Sequence, residues 1–387
     1  RRARFAAGDG DDLVSQSWSG ASWASAVSVS VDGGGDRASG SGWPVRFGSR
    51  RLLRSDVDGD NPSQKGLHMC VRLAACLGFV IFALGCGGGE SMDGTDSAPE
   101  PVVEPGAGTI VRVDPAFDAL VPLDARIEKL ADGYMFTEGP VWVRRGDPEP
   151  YLLFSDIPAN SIRRWSPGGE ASDFMTEIFT DDPGDRSQVG SNGLLIDSEG
   201  RLILCEHGNR RVSRIEADGS VTVLADSYDG KRLNSPNDAV FHSNGSLYFT
   251  DPPYGLAQQD DDPTKELDFN GIFRLSPEGE VELLNADQTR PNGIGLSPDE
   301  QTLYVANSDG NDKAWYAYDV LEDGSLGPAS VFFDVNDQEA PGAADGMAVD
   351  RDGNLFATGP GGVWVISSDG RHLGSIQPDE VPANAGW

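Results

Sequence analysis

The stretch SNGSLYFTD, residues 243–251, is a turn followed by a short apolar strand, and it recurs along the chain. Further copies read SEGRLILCE (198–206), SPDEQTLYVAN (297–307) and RDGNLFATG (351–359), and an earlier copy without the turn reads YLLFSD (151–156). Their leading leucines are 50, 45, 56 and 52 residues apart, at Leu152, Leu202, Leu247, Leu303 and Leu355. Short strands that repeat about every 40–50 residues are typical of β-propellers. We therefore predict an all-β propeller over residues 108–387.

A second repeat lies ten to fourteen residues before each leading leucine. It reads TEGPVW, SNGLLI, SPNDAV, RPNGIG and ADGMAV, and ANAGW closes the sequence. One polar residue matches in all copies, namely Glu138, Asn192, Asn237, Asn292, Asp345 and Asn384. The innermost strand of a blade begins near the central axis, so we expect these six side chains to converge at one mouth of the channel. Six copies predict six blades, the last of them incomplete, with residues 108–136 supplying a closing outer strand.

The converging side chains are carboxylates and amides, without paired histidines or cysteines. Oxygen donors of this kind suit Ca²⁺, whereas Mg²⁺ demands tighter octahedral geometry and zinc recruits nitrogen or sulfur. The alternative is that Asn and Asp before Gly are ordinary turn formers. Six copies in register, with an acid in TEGPVW that a turn does not need, favour a bound cation. We predict Ca²⁺, with other divalent cations as alternatives.

The charge of the chain excludes one class of partner. Its 387 residues include 30 basic and 62 acidic side chains, a net charge of −32. Binding to nucleic acid requires basic faces, so we expect no nucleic-acid partner. We expect a monomer.

The first 107 residues differ in composition from the rest. Residues 1–68 are rich in Gly, Ser and Arg, which indicates a disordered or non-native extension before a start at Met69. Residues 69–86 carry a positive residue and an apolar run of 12 residues that ends in Leu-Gly-Cys. Such a run is too short to span a bilayer and is typical of a secretory signal. Cys86 resembles a bacterial lipobox cysteine, which predicts an exported protein anchored to the membrane by lipid, periplasmic or at the cell surface. Residues 87–107 resemble a flexible acidic Gly/Pro linker.

Several motifs in order resemble the gluconolactonase branch of the senescence-marker-protein/gluconolactonase family. They are TEGPVW, CEHGNRRV, LNSPND with TDPPYGL, RPNGIGLSPDEQTLYVA and DGMAVDRDGNLFATGPGGVWV. The resemblance implies a six-bladed propeller with a divalent cation, usually calcium, and hydrolysis of sugar lactones. It also implies that Glu138, Asn292 and Asp345 are metal ligands, that Asn237 binds metal or substrate, and that Asp345 acts as a general acid or base. The chain departs from the family in PANAGW and in its substrate-side arginine, which Arg232 matches loosely.

Lactone hydrolysis can be derived from these residues. A cation polarises the carbonyl and stabilises the oxyanion, and a carboxylate, for which Asp345 is the candidate, takes the proton of the attacking water. His207 follows a strand end, where it is either a proton shuttle or a packing residue. The predicted substrate contacts are Asn192, Asn237, Arg232, Tyr254 and Asn384. Arg210 and Arg211 are expected to be a solvated pair on a blade surface.

The sequence thus predicts a calcium-dependent lactonase that converts a gluconolactone-like sugar lactone to the aldonic acid. Two alternatives stay open. One keeps the metal site and changes the substrate to an organophosphate-like ester, since a fold does not fix a function. The other is a non-catalytic propeller with a structural calcium.

Overall fold

The computed structural model describes residues 107–145 and 149–387, together with the backbone of a two-residue strand at Val27–Ser28. Apart from that strand, the predicted extension (1–68), the signal segment (69–86) and the linker up to residue 106 lie outside the described residues. The lipid anchor at Cys86 therefore stays a prediction. Within the described ranges, no helix combines the length and apolar character needed to cross a bilayer.

Four short elements precede the first blade: strand β1 (Val27–Ser28), strand β2 (Gly108–Arg112), helix α1 (Phe117–Leu120) and strand β3 (Glu128–Lys129). β1 pairs antiparallel with β3. Arg112 donates hydrogen bonds to the carbonyls of Val121 at 2.7 Å and Pro122 at 2.6 Å. These bonds attach the end of the helix to β2.

Five antiparallel sheets follow, each with consecutive strands side by side. Blade 1 contains β4 (Thr137–Val143), β5 (Tyr151–Asp156), β6 (Ser161–Trp165) and β7 (Ser172–Thr176). Blade 2 contains β8 (Ser191–Ile196), β9 (Leu202–Glu206), β10 (Arg211–Ile215) and β11 (Val221–Ala225). A small hairpin of β12 (Ser227–Tyr228) and β13 (Lys231–Arg232) leads to the next blade.

The remaining three blades repeat the pattern. Blade 3 contains β14 (Ala239–Phe241), β15 (Leu247–Asp251), β16 (Gly271–Leu275) and β17 (Val281–Asn285), with a 3₁₀ helix (Gln259–Asp261) between β15 and β16. Blade 4 contains β18 (Pro291–Leu296), β19 (Thr302–Asp309), β20 (Asp312–Asp319) and β21 (Ser330–Asp334). Blade 5 contains β22 (Met347–Val349), β23 (Leu355–Gly359), β24 (Gly362–Ile366) and β25 (His372–Pro378).

The turns between first and second strands are built by the residues that the repeat predicted. In blade 2, Asp197 Oδ1 accepts hydrogen bonds from the backbone N–H groups of Glu199 at 2.9 Å and Arg201 at 2.8 Å. Gly200 then adopts a φ of 84°, a conformation that glycine reaches without steric cost. In blade 4, Glu300 occupies this position with a φ of 58°. Turn geometry, rather than a strict glycine, is therefore the shared feature.

The apolar core lies in the seams between neighbouring blades. β15 illustrates why, because successive residues of a strand point to opposite faces of the sheet. Leu247 and Phe249 pack in a cluster with Val212 of blade 2, whereas Tyr248 packs in a cluster with Val305 of blade 4. The sheet of blade 3 therefore buries both faces, one against blade 2 and the other against blade 4.

The predicted propeller is confirmed, with five blades in the described residues, four of four strands and one of five, rather than six complete ones. The sixth copy of the repeat forms no strand and runs beside blade 5, where the N–H of Gly346 donates to the carbonyl of Ala383 at 2.8 Å. Trp387 Nε1 donates to the carbonyl of Val349 at 3.1 Å. Residues 108–136 were expected to close the sixth blade, but their strand β2 pairs with β25 and becomes the outer strand of blade 5.

Candidate active site

Close contacts between the inner strands bring the polar residues of the second repeat together. Four of these residues are followed directly by glycine, at Gly139, Gly193, Gly293 and Gly346. A Cβ on Gly139 would lie 2.1 Å from the carbonyl oxygen of Asn192, and one on Gly293 would lie 2.3 Å from that of Asp345. No side chain fits at such distances, so glycine is what permits adjacent inner strands to touch. The preceding polar side chains then share the central channel.

Glu138 lies at the start of the inner strand of blade 1 and is 3% exposed. Its Oε2 accepts hydrogen bonds from Asn384 Nδ2 at 2.9 Å and from the N–H of Gly139 at 3.1 Å. Burial raises the pKa of Glu138 to about 7, and the charge of Asp238 adds to the rise. The carboxyl is therefore easily protonated in the absence of a cation.

Asp345 lies at the matching position of blade 5. Burial, and then the charges of Glu138 and Asp238, raise the pKa of Asp345 well above its usual value, while Asn292 and the N–H of Gly346 oppose the rise by hydrogen bonding. Its Oδ1 is buried and has no hydrogen-bond partner among the described residues. Carboxylates from blades 1, 3 and 5 therefore repel one another across the channel.

Asp238 is the member of this group that the sequence analysis missed. It follows Asn237 in SPND, at the position where the other four inner strands have glycine. Burial raises the pKa of Asp238 to about 7, against hydrogen bonds from the N–H groups of Ala239 and Ile294 and from Asn384. The break in the glycine pattern was the signal that could have identified it.

Asn237 and Asn292 add amide groups on blades 3 and 4, and they are 3% and 5% exposed. Asn292 Nδ2 donates to Ser308 Oγ at 2.9 Å. Tyr254 is half-buried, and its side chain hydrogen-bonds with Asn292 and Ser308. Burial, and then the charge of Asp345, raise the pKa of Tyr254, so its hydroxyl is neutral. The structure thus places Tyr254 beside Asn292, and its contact with substrate stays a prediction.

His207 and Asn192 form a buried pair on blade 2. His207 is fully buried, and its Nε2 lies 3.4 Å from Asn192 Nδ2. Burial lowers the pKa of His207 to about 3, so the imidazole is neutral at pH 7. Its Nδ1 and Asn192 Oδ1 are buried without hydrogen-bond partners in the described part of the chain. A neutral ring can hydrogen-bond, whereas the predicted role as a proton shuttle stays a prediction.

Arg232 lies away from this group. It is exposed in the β12–β13 hairpin, where its N–H donates to Glu266 at 2.8 Å and its Nη2 to the carbonyl of Asn209 at 3.1 Å. Arg290 is nearer, because its charge acts on Tyr254 and lowers the pKa of that residue against the effect of burial. Arg290 also forms an ion pair with Asp260. It precedes Asn292 by two residues in RPNG, a motif in which the sequence analysis considered only the asparagine.

The electrostatics of the channel fit a hard cation. No basic side chain contributes to the pKa shifts of Glu138, Asp238 and Asp345, so their negative charge is uncompensated within the described residues. Asp345 Oδ1 and Asn192 Oδ1 are buried and unpartnered there. Among the described residues, no group of three or more His, Cys, Asp or Glu is spaced to hold a metal ion by itself. Amide oxygens and water would have to complete the ligand set, which is usual for calcium.

The comparisons with known proteins point to one family and to the propeller fold. Residues 136–385 match the family model described as SMP-30/Gluconolactonase/LRE-like region. A gluconolactonase from Zymomonas mobilis is 39% identical over 277 residues, which are 70% of this chain and 77% of that protein. A solved gluconolactonase structure from Xanthomonas campestris has 33% identity and a TM-score of 0.62, covering 72% of this chain and 89% of that one. Regucalcin from Agrobacterium tumefaciens, at 19% identity and a TM-score of 0.51 over 66% of this chain and 79% of that one, shares the fold.

Proposed function

This chain belongs to the SMP-30/gluconolactonase/LRE-like family, and we propose that it hydrolyses a sugar lactone of the gluconolactone type to the aldonic acid. The observation that carries the proposal is the group of buried carboxylates at the channel, which have no basic partner among the described residues. An uncompensated group of this kind is costly in a structural core and useful in a cation site. The relatives named gluconolactonase support the choice of substrate.

Four residues would hold the cation: Glu138, Asn237, Asn292 and Asp345. All four present side-chain oxygens, which suits Ca²⁺ or a similar divalent ion. When bound, the cation supplies Lewis-acid polarisation of the lactone carbonyl and stabilises the negative charge that develops on its oxygen. Metal dependence follows from this assignment.

Asp345 takes the proton of the attacking water. The water oxygen forms a bond to the carbonyl carbon, the bond from that carbon to the ring oxygen breaks, and the ring oxygen receives a proton to become a hydroxyl. Asp345 suits this role because its Oδ1 has no hydrogen-bond donor among the described residues. A bound cation lowers the basicity of this carboxylate, which a reactive lactone ester tolerates.

Neutral side chains around the carboxylates would orient the sugar hydroxyls. Tyr254 carries a neutral hydroxyl beside Asn292. On the other side, Asn192 and the neutral imidazole of His207 offer a free amide oxygen and a free ring nitrogen. Uncharged donors and acceptors of this kind suit a polyhydroxylated substrate without a phosphate group.

Export and attachment to a bacterial membrane through Cys86 belong to the same proposal. They rest on the signal-like sequence of residues 69–86 alone. Metabolic labelling of the expressed full chain with a fatty acid tests them, and substitution of Cys86 should abolish the label.

The direct test is hydrolysis of glucono-δ-lactone by the full chain, followed as release of acid. Treatment with EDTA should abolish hydrolysis, and calcium should restore it. Glu138→Gln should weaken the response to calcium, whereas Glu278→Gln, the same change on an exposed turn, should not. Turnover unaffected by EDTA would remove the cation from the proposal, and calcium binding without turnover of any lactone would favour the non-catalytic alternative.

A further inference from the structure

Blade 3 departs from the other blades at the start of its inner strand. The residue after the repeated polar position is glycine in blades 1, 2, 4 and 5 and is Asp238 in blade 3. At the other seams the glycine is needed because the next strand is in contact, as the 2.1 Å from a Cβ on Gly139 to the carbonyl oxygen of Asn192 illustrates. The seam between blades 3 and 4 instead accommodates a carboxylate. That departure requires a reason other than packing.

Asp238 is held in the channel from three sides. Its Oδ1 accepts a hydrogen bond from the N–H of Ala239 at 2.9 Å. The N–H of Ile294, in the inner strand of blade 4, and the side chain of Asn384 also donate to the carboxylate. Its charge acts on Glu138 and Asp345. The side chain therefore belongs to the group of channel carboxylates rather than to the seam alone.

Asn384 connects Asp238 to Glu138. Its Nδ2 donates to Glu138 Oε2 at 2.9 Å and also hydrogen-bonds with Asp238. Its Oδ1 accepts a hydrogen bond from the N–H of Ala385 at 2.7 Å. The amide therefore lies between the two carboxylates and joins two like charges that would otherwise repel each other.

The backbone fixes Asn384 in this position. The carbonyl of Ala383 accepts hydrogen bonds from the N–H of Gly346 at 2.8 Å and from Thr358 Oγ1 at 2.8 Å. A Cβ on Gly346 would lie 2.0 Å from the amide carbon of Asn384. The glycine of blade 5 therefore leaves the space in which the Asn384 side chain reaches both carboxylates.

A second observation indicates that this group has a ligand. Asn192 is 3% exposed, and its Oδ1 has no hydrogen-bond partner among the described residues. Bringing buried carboxylates together without a base is unfavourable unless a cation compensates them. An unsatisfied amide oxygen in the same ring of residues is a further donor for such an ion.

We propose that Asp238 contributes a third negative charge to the cation site and that Asn384 is the positioning residue that holds Asp238 and Glu138 together. This inference rests on the proposed function. It adds Asp238, which is not one of the repeated polar positions, to the site. It also gives Asn384 a role different from the predicted contact with substrate. The site then carries three negative charges, where glycine at position 238 would leave two.

The affinities for a divalent and a trivalent ion distinguish the charge role of Asp238 from the positioning role of Asn384. Coulomb energy scales with the product of the charges, so removing the charge of Asp238 should weaken binding of a trivalent ion more than that of a divalent one. Loss of Asn384 leaves all three charges in the site but holds them less closely, so the preference for the trivalent ion should fall less than on removal of the Asp238 charge. Loss of a group in the outer shell of a metal typically costs about 10–100-fold in affinity.

The experiment is calorimetric titration of the metal-free full chain with Ca²⁺ and with Tb³⁺, without substrate. Asp238→Asn should raise the Kd for Ca²⁺ about 10–100-fold and that for Tb³⁺ more. Asn384→Ala should raise both Kd values about tenfold and change their ratio less than Asp238→Asn does. Asp238→Glu, which keeps the charge, should retain the preference for Tb³⁺. Asp309→Asn, a partly exposed carboxylate that bonds Thr289, is the control and should change neither Kd by more than about twofold.

Three outcomes would overturn the proposal. A folded Asp238→Asn variant with the Kd values of the parent would exclude Asp238 from the site. Equal weakening of both ions by that variant would show a packing role without a charge effect. Unchanged affinities in Asn384→Ala would exclude the positioning role. A parent chain that binds neither ion would instead refute the cation in the proposed function, which is a different result.

Discussion

Two of the places where the chain buries carboxylates, the loop region at Asp251 and the channel, satisfy them differently. Asp251 ends the second strand of blade 3 and is fully buried. Its two oxygens accept hydrogen bonds from the backbone N–H groups of Asn234 and Ser235, with N···O distances of 2.7 Å. Burial raises the pKa of Asp251 to about 7, but these bonds and the charges of Arg210 and Lys265 favour its ionised form. This acid fixes the loop that leads into the inner strand.

The channel acids also accept hydrogen bonds, but no basic side chain of the described residues compensates their charge. Glu138, Asp238 and Asp345 are influenced by one another and by no basic side chain of the described residues. Asp345 Oδ1 accepts no hydrogen bond there. Burial alone shifts the pKa of an acid in both regions, so the shift does not identify a functional group. The absence of a basic partner does identify one, and the following experiments test this difference between Asp251 and the channel acids.

The largest effect is expected from Asp345→Asn. The variant lacks the proton acceptor, so kcat/KM for glucono-δ-lactone should fall about 10²–10⁴-fold. The metal-free protein should not lose stability, because a repelling charge is removed. Initial rates and urea unfolding in EDTA measure the two quantities. Full turnover with unchanged calcium affinity would refute the role of Asp345.

The second effect is a pH dependence of stability in EDTA. The pKa of Glu138 rises on folding from its ordinary 4.5 to about 7, so the folded state retains a proton that the unfolded state loses in this window. The free energy of unfolding should therefore fall as pH rises from about 4.5 to 7, by about 3 kcal/mol for this group, and then level off. Asp238 adds to the effect in the same direction.

Calcium provides the control for this pH dependence. A bound cation replaces the protons, so urea unfolding at pH 5 and pH 8 should differ much less with calcium than with EDTA. An equally steep fall under both conditions would place its origin outside the channel.

Asp251→Asn should have the opposite signature. One of the two N–H groups that donate to Asp251 would lose its acceptor, so the free energy of unfolding should drop by about 1–3 kcal/mol. The calcium affinity of the folded variant should stay within about twofold of the parent. Urea unfolding and calorimetric titration measure both. A large loss of affinity without a loss of stability would remove the difference between the two regions.

The smallest effect is expected from Tyr254→Phe. The variant loses one neutral hydrogen bond, worth about 1 kcal/mol, so kcat/KM should fall about five- to tenfold. Calcium affinity should not change, because Tyr254 carries no charge at neutral pH. A variant with the parent's kcat/KM would assign Tyr254 to packing.

The strands and the convergence of the inner positions were predictable because both rest on short-range patterns. Each blade repeats a polar residue at the start of its inner strand, a turn, and an alternating apolar second strand. The structure places Glu138, Asn292 and Asp345 around one channel. Asp238 was missed for the same reason. In the repeat, the position after the polar residue resembles a turn glycine. In the structure, that position contacts the neighbouring blade, and in blade 3 it is occupied by Asp238.

The burial of Arg210 was not predictable, and the expectation of a solvated pair was wrong for this residue. Arg210 is 3% exposed, and it donates to the carbonyls of Leu233 at 2.7 Å and Thr264 at 2.8 Å. The segment between β13 and β14 and the connection between β15 and β16 supply these carbonyls, and such irregular segments carry no periodic signal. Arg211 is partly exposed and pairs with Glu206 at 3.0 Å.

The contact glycines also limit how this propeller can diversify. Because backbone touches backbone at Gly139 and Gly293, the diameter of the central ring is fixed by main-chain atoms and cannot be widened or narrowed by exchanging side chains. The size of the ion that we propose for this ring would therefore be set by the architecture. The range of proposed substrates would depend instead on irregular segments such as the β15–β16 connection that carries Tyr254, where insertions and substitutions leave the contact glycines unchanged.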